Sequence, residues 1–520
     1  MQRLQEIGRK VRKLLSKVLN RLTITAALLV LQALFLWAIS YRLSDYARWI
    51  NPVLLALSVF MCAAMIRQDS TAPEFKISWM VLFILMPIQG GLLYLLWGDK
   101  RPAFRLRRQL EKAAGEVEPL RRPDPAAQKA LERLSPRTAR TSAYLRDYAA
   151  YPVCAGTEVK YYPSGEAVYA DLLPALEKAE RFIFIEFFII TSGEMWDSVH
   201  EILRRKAAQG VDVRVIYDDV GCATGLPVAY WRTLEQEGIH AVPFNPFLPV
   251  LNMVMNSRDH RKIVAVDGSV AFTGGFNLAD EYINRKERFG HWRDTAVRLE
   301  GPGAWNFAAM FMELWSSQHA QDPGLSILTE TPRPAPRRTV GLVQPYADSP
   351  VDGETVAKNV YLELINQAQK TLWITTPYLI LDNAMLTALR LAAKRGVDVR
   401  IYVPGTPDKK MVYELTKSFF APLLRGGVKI FTYTPGFLHA KTWLVDGEIA
   451  AVGSINLDYR SLYLHFECSV LLYHCPALAD VAEDMMDIER LSHPVALAEC
   501  HTGPLGTMVS AILRLLAPLC

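Results

Sequence analysis

Three apolar runs, at residues 22–41, 49–66 and 77–97, follow a polar head, and none contains an acidic or basic side chain. Each has roughly the 17–25 residues that a helix needs to cross a bilayer, where backbone polar groups must be satisfied within the segment. The pattern predicts a helical membrane anchor over 1–98. A cleaved leader fits less well, because the first run is long, lacks a small-residue cleavage site and is followed by two more. Buried core helices fit poorly with three uncharged runs so close together. Pro87 and Gly90-Gly91 interrupt the third run, so a re-entrant or interfacial segment is the alternative to a third crossing.

Beyond a charged, Pro-containing connector at 99–150, the apolar runs become shorter and they repeat. RFIFIEFFII at 181–190 leads through a helical stretch to QGVDVRVIYDD at 209–219. TLWITTPYLI at 371–380 leads likewise to RGVDVRIYVPG at 395–405. Each copy predicts a buried strand, an amphipathic helix ending at Gly210 or Gly396, and a second buried strand. That βαβ order implies parallel pairing and an α/β fold. The repeats are expected at 151–326 and 341–490, with a tail at 491–520. The stretch 327–340, with Pro332, Pro334 and Pro336, reads as a linker or exposed crossover. In HRKIVAVDG, period-two alternation puts His260 and Lys262 on one face of a strand. Asp267-Gly268 and Asp446-Gly447 then predict tight hairpin turns.

A net charge of +5 names no anionic partner by itself, but the positive excess is local. Arg3, Arg9, Lys10, Arg12, Lys13, Lys17 and Arg21 face a single acid, Glu6, in the head, which argues for a cytoplasmic N-terminus. The basic connector argues that the chain re-enters the cytoplasm, which demands an even number of crossings against three runs. A multi-pass cell-membrane protein with its main body on the cytoplasmic face is expected. The seven cysteines form no CxxC pair and read as free thiols, without structural zinc.

The polar positions carry the chemistry. His260-x-Lys262-x4-Asp267 recurs 179 residues later as His439-x-Lys441-x4-Asp446. Gly274-Gly275-Phe276-Asn277 follows the first copy and Gly453-Ser454-Ile455-Asn456 the second. One such pattern should arise by chance in about one in ten thousand chains of this length; two in register are not accidental. An imidazole attacking a phosphodiester forms a phosphohistidine, and a second protonates the leaving alcohol and deprotonates the incoming one. Lys262 and Lys441 would neutralise charge on the non-bridging oxygens. One motif supplies one imidazole, so two half-sites facing each other complete a site. Asp267 and Asp446 either orient the motif or act structurally at the turn. Gly275 and Ser454 would let the backbone approach a phosphate, and Asn277 and Asn456 would donate to it. Metal ligation by the two motif histidines is not expected, since lysine is a poor ligand and no HExxH-like spacing accompanies them.

These motifs resemble the paired HKD motifs of the phospholipase D superfamily and, within it, the bacterial cardiolipin synthases. The similarity extends to Trp292-Arg293-Asp294-Thr295, Arg298-Leu299-Glu300-Gly301, Thr376-Pro377-Tyr378, Asp458-Tyr459-Arg460-Ser461 and Phe466-Glu467. It also covers the third apolar run and the C-terminal Leu515 to Leu519. The resemblance implies two phospholipase D-like repeats forming a pseudo-twofold bilobal catalytic unit. It implies His260 as nucleophile and His439 as acid/base, with the exchanged assignment left open, and Glu186 lining the site. A buried carboxylate paired with Arg or Lys is the other reading of Glu186. Two positions depart from the family: Ala296 stands where His is frequent, and His465 where Asn is frequent.

The implied reaction moves a phosphatidyl group between two phosphatidylglycerol molecules, giving cardiolipin and glycerol with no metal or cofactor. The implied partners are phospholipid and membrane, not nucleic acid. The apolar stretch 246–255 reads as an acyl entry or an ordinary buried loop. The segment 508–519 is expected to lie on the membrane surface or to pack on the protein. Three rivals stay open: phospholipid hydrolysis, phosphatidylethanolamine as donor, and a scaffold with relic motifs. The anchor and the absence of a basic, aromatic-interleaved stripe count against a nucleic-acid phosphodiesterase.

Overall fold

The computed structural model describes residues 44–68, 72–98, 104–121, 123–246, 257–319, 324–500 and 503–519, with isolated positions 30 and 34. The basic head, nearly all of the first apolar run and the stretch 247–255 lie outside the described residues. The chain divides into two compact units, one up to residue 104 together with 511 onward, the other spanning 105–246 and 257–510.

In the first unit, α1 (Ser44–Ile66) is followed by α2 (Pro73–Leu85) and α3 (Pro87–Trp97). The third apolar run is therefore two helices. Proline disfavours the helical region for the residue before it, and Met86 takes φ −143° and ψ 71°, breaking the run. The two pieces fold back on each other. Tyr94 meets Trp79 and Phe83 edge-on at 5.3 and 5.6 Å between ring centroids. A Cβ on Gly90 would lie 2.7 Å from the Leu82 carbonyl oxygen, so only glycine permits the close approach. At 13 and 11 residues, each piece is about 20 Å long or less, short of a hydrocarbon core of about 30 Å. Among the described residues, one stretch is long and apolar enough to cross: Trp49–Ile66, 18 residues with mean hydropathy 2.0. The chain's end packs here as well, with the Ser78 hydroxyl donating to the Leu515 carbonyl at 2.6 Å.

The second unit holds both repeats. Its strands in the first half are β1 (Glu158–Tyr162), β2 (Phe182–Phe187), β3 (Asp212–Asp218), β4 (His240–Phe244), β5 (Arg258–Asp259), β6 (Lys262–Val266), β7 (Val270–Gly274), β8 (His291–Arg293) and β9 (Ala296–Glu300). The second half contributes β10 (Leu342–Asp348), β11 (Thr371–Thr375), β12 (Asp398–Pro404), β13 (Lys429–Tyr433), β14 (Gly436–Leu438), β15 (Thr442–Val445), β16 (Ile449–Gly453), β17 (His465–Tyr473) and β18 (Ser492–Pro494). One sheet runs β1-β9-β7-β6-β2-β3-β4 and the other β10-β17-β16-β15-β11-β12-β13-β18. Position by position these are the same sheet, the second with one added edge strand. β2 pairs parallel with β3, and β11 with β12, across the crossover helices α4 (Glu194–Ala208) and α5 (Asn383–Lys394). A third helix, Pro302–Gln318, is buried along nearly its whole length. It lies against β6 and β7 of one sheet and β10 of the other.

Hairpins β6-β7 and β15-β16 turn where expected. Asp267 and Gly268 have φ of 51° and 65°, Asp446 and Gly447 53° and 70°, the doubly left-handed turn that Asp-Gly favours. Both motif aspartates are consumed here. Asp267 accepts the backbone N–H groups of Glu180, Arg181 and Phe182 at 2.8–2.9 Å. Asp446 accepts those of Gln369, Lys370 and Thr371 at 2.7–2.8 Å. Of the two roles open to these aspartates, the geometry gives the structural one: each ties its hairpin to the start of the neighbouring strand. Asp446→Ala should cost about 1–3 kcal/mol by leaving three N–H groups without that acceptor. A thermal scan should show a lowered midpoint, whereas an unchanged midpoint with abolished turnover would return the residue to the chemistry.

Candidate active site

Each HxK motif begins by leaving its own sheet. β5 pairs in parallel with the start of β17, matching Arg258 with His465 and Asp259 with Phe466. β14 pairs in parallel with β8, matching Gly436, Phe437 and Leu438 with His291, Trp292 and Arg293. The His260 N–H then donates to the Phe466 carbonyl at 2.9 Å, and the His439 N–H to the Arg293 carbonyl at 2.7 Å. So β6 starts only at Lys262, and His260 belongs to the bridge rather than to the strand that alternation predicted.

The residue after each of those carbonyls is an acid, and it reaches the imidazole of the other repeat. His260 Nδ1 lies 2.9 and 3.0 Å from the two Glu467 carboxylate oxygens. His439 Nδ1 lies 2.7 Å from Asp294 Oδ2. The carboxylate that orients each histidine is therefore supplied by the opposite half. Asp294 and Glu467 lie in segments flagged only by resemblance; period and spacing gave them no role, because their partners are 145 and 207 residues away. The repeated acid two strands beyond each motif was the signal that could have found them.

The lysines sit inside the cluster. Lys262 Nζ donates to the His260 carbonyl at 2.5 Å. Lys441 Nζ donates to the His439 carbonyl and lies 2.8 Å from His439 Nδ1. Both are buried, at 0% and 1% exposure, beside histidines at 8% and 7%. Aromatic rings wall the histidines: Phe188 lies 5.0 Å from His260, and Trp292 5.3 Å from His439.

The remaining predicted residues divide. Ser454 donates to Glu467 and accepts the Cys468 N–H at 3.0 Å, so it holds the carboxylate that holds His260. Gly275 makes room: a Cβ there would sit 2.1 Å from Asp294 Oδ1 and 3.1 Å from the His439 carbonyl oxygen. Asn277 spends its amide on the Ile189 N–H at 3.1 Å and the Tyr282 hydroxyl at 2.6 Å, and Tyr282 packs edge-on against His439. Asn456 is buried, and among the described residues its side-chain oxygen has no hydrogen-bond partner. Glu186 forms an ion pair with Arg261 at 2.6 Å, beside Asp259, and this matches the structural reading of that carboxylate.

Burial and the crowd of positive groups set the electrostatics. Burial, then Lys262, holds His260 well below the usual imidazole range. Burial and Lys441 bring His439 down to about 4, although Asp294 opposes them. Burial lowers Lys262 to about 8 and Lys441 to about 7. The two carboxylates diverge. Burial pushes Glu467 well up; it pushes Asp294 up as well, but His439 and Lys441 outweigh it and hold Asp294 below its ordinary value. Both imidazoles are thus neutral at rest, and the one facing the ionised Asp294 is the better placed to take on charge.

The family described as cardiolipin synthase, PLD-like domain, matches residues 172–299 and 361–488, and a phospholipase D-nuclease N-terminal family matches 53–98. A cardiolipin synthase of Geobacillus thermodenitrificans is 34% identical over 90% of this chain and 93% of its own. A Streptococcus mutans protein described only as uncharacterized is 41% identical over 85% of this chain and 96% of its own. Among solved structures, the phosphatidylserine synthase of Haemophilus influenzae shares the fold, with TM-score 0.57 at 16% identity over 74% of this chain and 98% of its own.

The crossed pairs can be tested directly. Asp294→Asn should lower turnover about 10²–10⁴-fold, the range of a misoriented acid/base group. Gly275→Ala should fall in the same direction by displacing Asp294, and the double variant should be no worse than Asp294→Asn alone. Additive losses would separate the glycine from the carboxylate.

Proposed function

The chain belongs to the cardiolipin synthase, PLD-like family, and from that premise we propose that it transfers a phosphatidyl group between two phosphatidylglycerol molecules, giving cardiolipin and glycerol. It is a phosphatidyltransferase associated with the membrane. The observation that carries the finer reading is the pair of buried imidazoles, each braced at Nδ1 by a carboxylate, with a buried lysine beside each.

His260, with its Nδ1–H turned to Glu467, offers the Nε2 lone pair to phosphorus. The P–N bond forms as the P–O bond to glycerol breaks, and His439 gives its proton to the departing alkoxide. The arriving phosphodiester anion offsets Lys262 and Lys441, so His439, neutral in the free enzyme, takes up a proton from solvent as substrate binds and holds it beside Asp294. In the second step His439 takes the proton from the terminal hydroxyl of a second phosphatidylglycerol. That oxygen attacks phosphorus, the P–N bond breaks and His260 is regenerated. The lysines neutralise the non-bridging oxygens in both steps. No cofactor enters the scheme.

The membrane topology follows the same reading. Residues 49–66 cross, while α2 and α3 form a hairpin that does not. The basic charge of the connector supports a cytoplasmic face for it and for the active site that follows it.

Purified full-length protein incubated in detergent with labelled phosphatidylglycerol should yield cardiolipin and glycerol. Phosphatidic acid alone would make it a hydrolase, a requirement for phosphatidylethanolamine would change the donor, and no turnover would leave the scaffold. His260→Ala and His439→Ala should each abolish product. The pH dependence of kcat/KM reports the free enzyme. It should fall as pH rises through about 7 to about 8, where Lys441 and then Lys262 lose their charge. It should fall again only at acid pH, well below the usual imidazole range, where protonation removes the Nε2 lone pair of His260. A rate that climbs from pH 7 to 9 would contradict this assignment.

A further inference from the structure

His465 is a third imidazole in the cluster, and the reaction above does not use it. It is 8% exposed, and among the described residues neither ring nitrogen has a hydrogen-bond partner. Its ring lies 5.7 Å from that of His260, and its Nδ1 is 4.0 Å from Glu467 Oε1. One ligating atom from each of His260, His465 and Glu467 lies within 4.8 Å of the other two. Among the described residues, the opposite half offers no such set. Counting back two residues from each crossed carboxylate gives His465 on one side and Trp292 on the other. Trp292 presents an indole face to His439 and cannot ligate.

We propose that His260, His465 and Glu467 form an inhibitory site for a late first-row divalent metal such as Zn²⁺ or Co²⁺. Two imidazoles and a carboxylate are a common zinc donor set, with bonds of about 2.0–2.2 Å. The donor atoms, at 2.9 and 4.0 Å in the two pairs with Glu467 and all within 4.8 Å of one another, need shifts of about an ångström to close on one ion. The chemistry selects the metal. Lys262 and Lys441 repel any cation brought beside His260, so Mg²⁺ or Ca²⁺, held chiefly by charge, gains little. Metals that bond strongly to imidazole nitrogen gain enough to bind.

Inhibition follows from the tautomer. A neutral imidazole carries one N–H. When a metal takes Nδ1 of His260 in place of the hydrogen bond to Glu467, that proton sits on Nε2. The Nε2 lone pair is then no longer available to attack phosphorus. No bond to substrate is made or broken, and removing the metal restores the Nδ1–H tautomer.

The test titrates Co²⁺ into the detergent-solubilised full-length protein without lipid, so its outcome does not depend on the reaction proposed above. A visible absorption band of four- or five-coordinate Co²⁺ saturating at one ion per chain is expected, along with its displacement by Zn²⁺. His465→Asn and His465→Gln should each weaken the band at least tenfold while near-ultraviolet circular dichroism stays native. Where lipid turnover is measured, Zn²⁺ should inhibit it reversibly by chelator, and less in either variant relative to that variant's own metal-free rate. No band, an equal band in both variants, or equal inhibition by Mg²⁺ overturns the proposal.

Discussion

The active site depends on two exchanged hydrogen bonds. Glu467 of the second repeat holds His260 of the first, and Asp294 of the first holds His439 of the second. Neither repeat contains a finished half-site. Each lends a histidine and a lysine to its own strand, and a carboxylate to its neighbour's histidine. The backbone enforces the exchange, because the peptide before each carboxylate accepts the N–H of the other motif's histidine. Separating the repeats would break both catalytic pairs and their supporting ladders together.

That exchange constrains the surrounding packing. The buried helix Pro302–Gln318 fixes one sheet against the first strand of the other. Thr295 and Thr442 share a hydrogen bond of 2.8 Å across the join. Gly275 is glycine because Asp294 must pass where a side chain would be. At the far ends of the hairpins, Asp267 and Asp446 hold β6 and β15 to β2 and β11 through three N–H groups each. The most recognisable acid of each motif thus serves the strand that presents the histidine, and the acid that touches the imidazole lies elsewhere.

The halves match in fold but differ in charge. Asp294 is held below its ordinary value by His439 and Lys441, whereas burial carries Glu467 upward. A symmetric scaffold so holds two imidazoles of unequal character, as the proposed reaction, with one nucleophile and one proton carrier, requires. The same asymmetry extends to the walls, where an indole lies beside one histidine and a third imidazole beside the other.

The sequence by itself determined the duplication, the βαβ units, the Asp-Gly turns and the four polar residues at the centre. These are written in local period and spacing, which a strand of alternating residues or a two-residue turn obeys without reference to anything distant. It also located the break at Pro87, since proline acts on its immediate neighbour. It did not determine which carboxylate orients which histidine, that Ser454 acts through Glu467, or that Asn277 is spent on Tyr282 while Asn456 is not. Those relations join residues that only the packing of one repeat against the other brings within hydrogen-bond reach. A hydrogen bond depends on distance in space, and distance along the chain says nothing about it once the chain has folded back on its own copy.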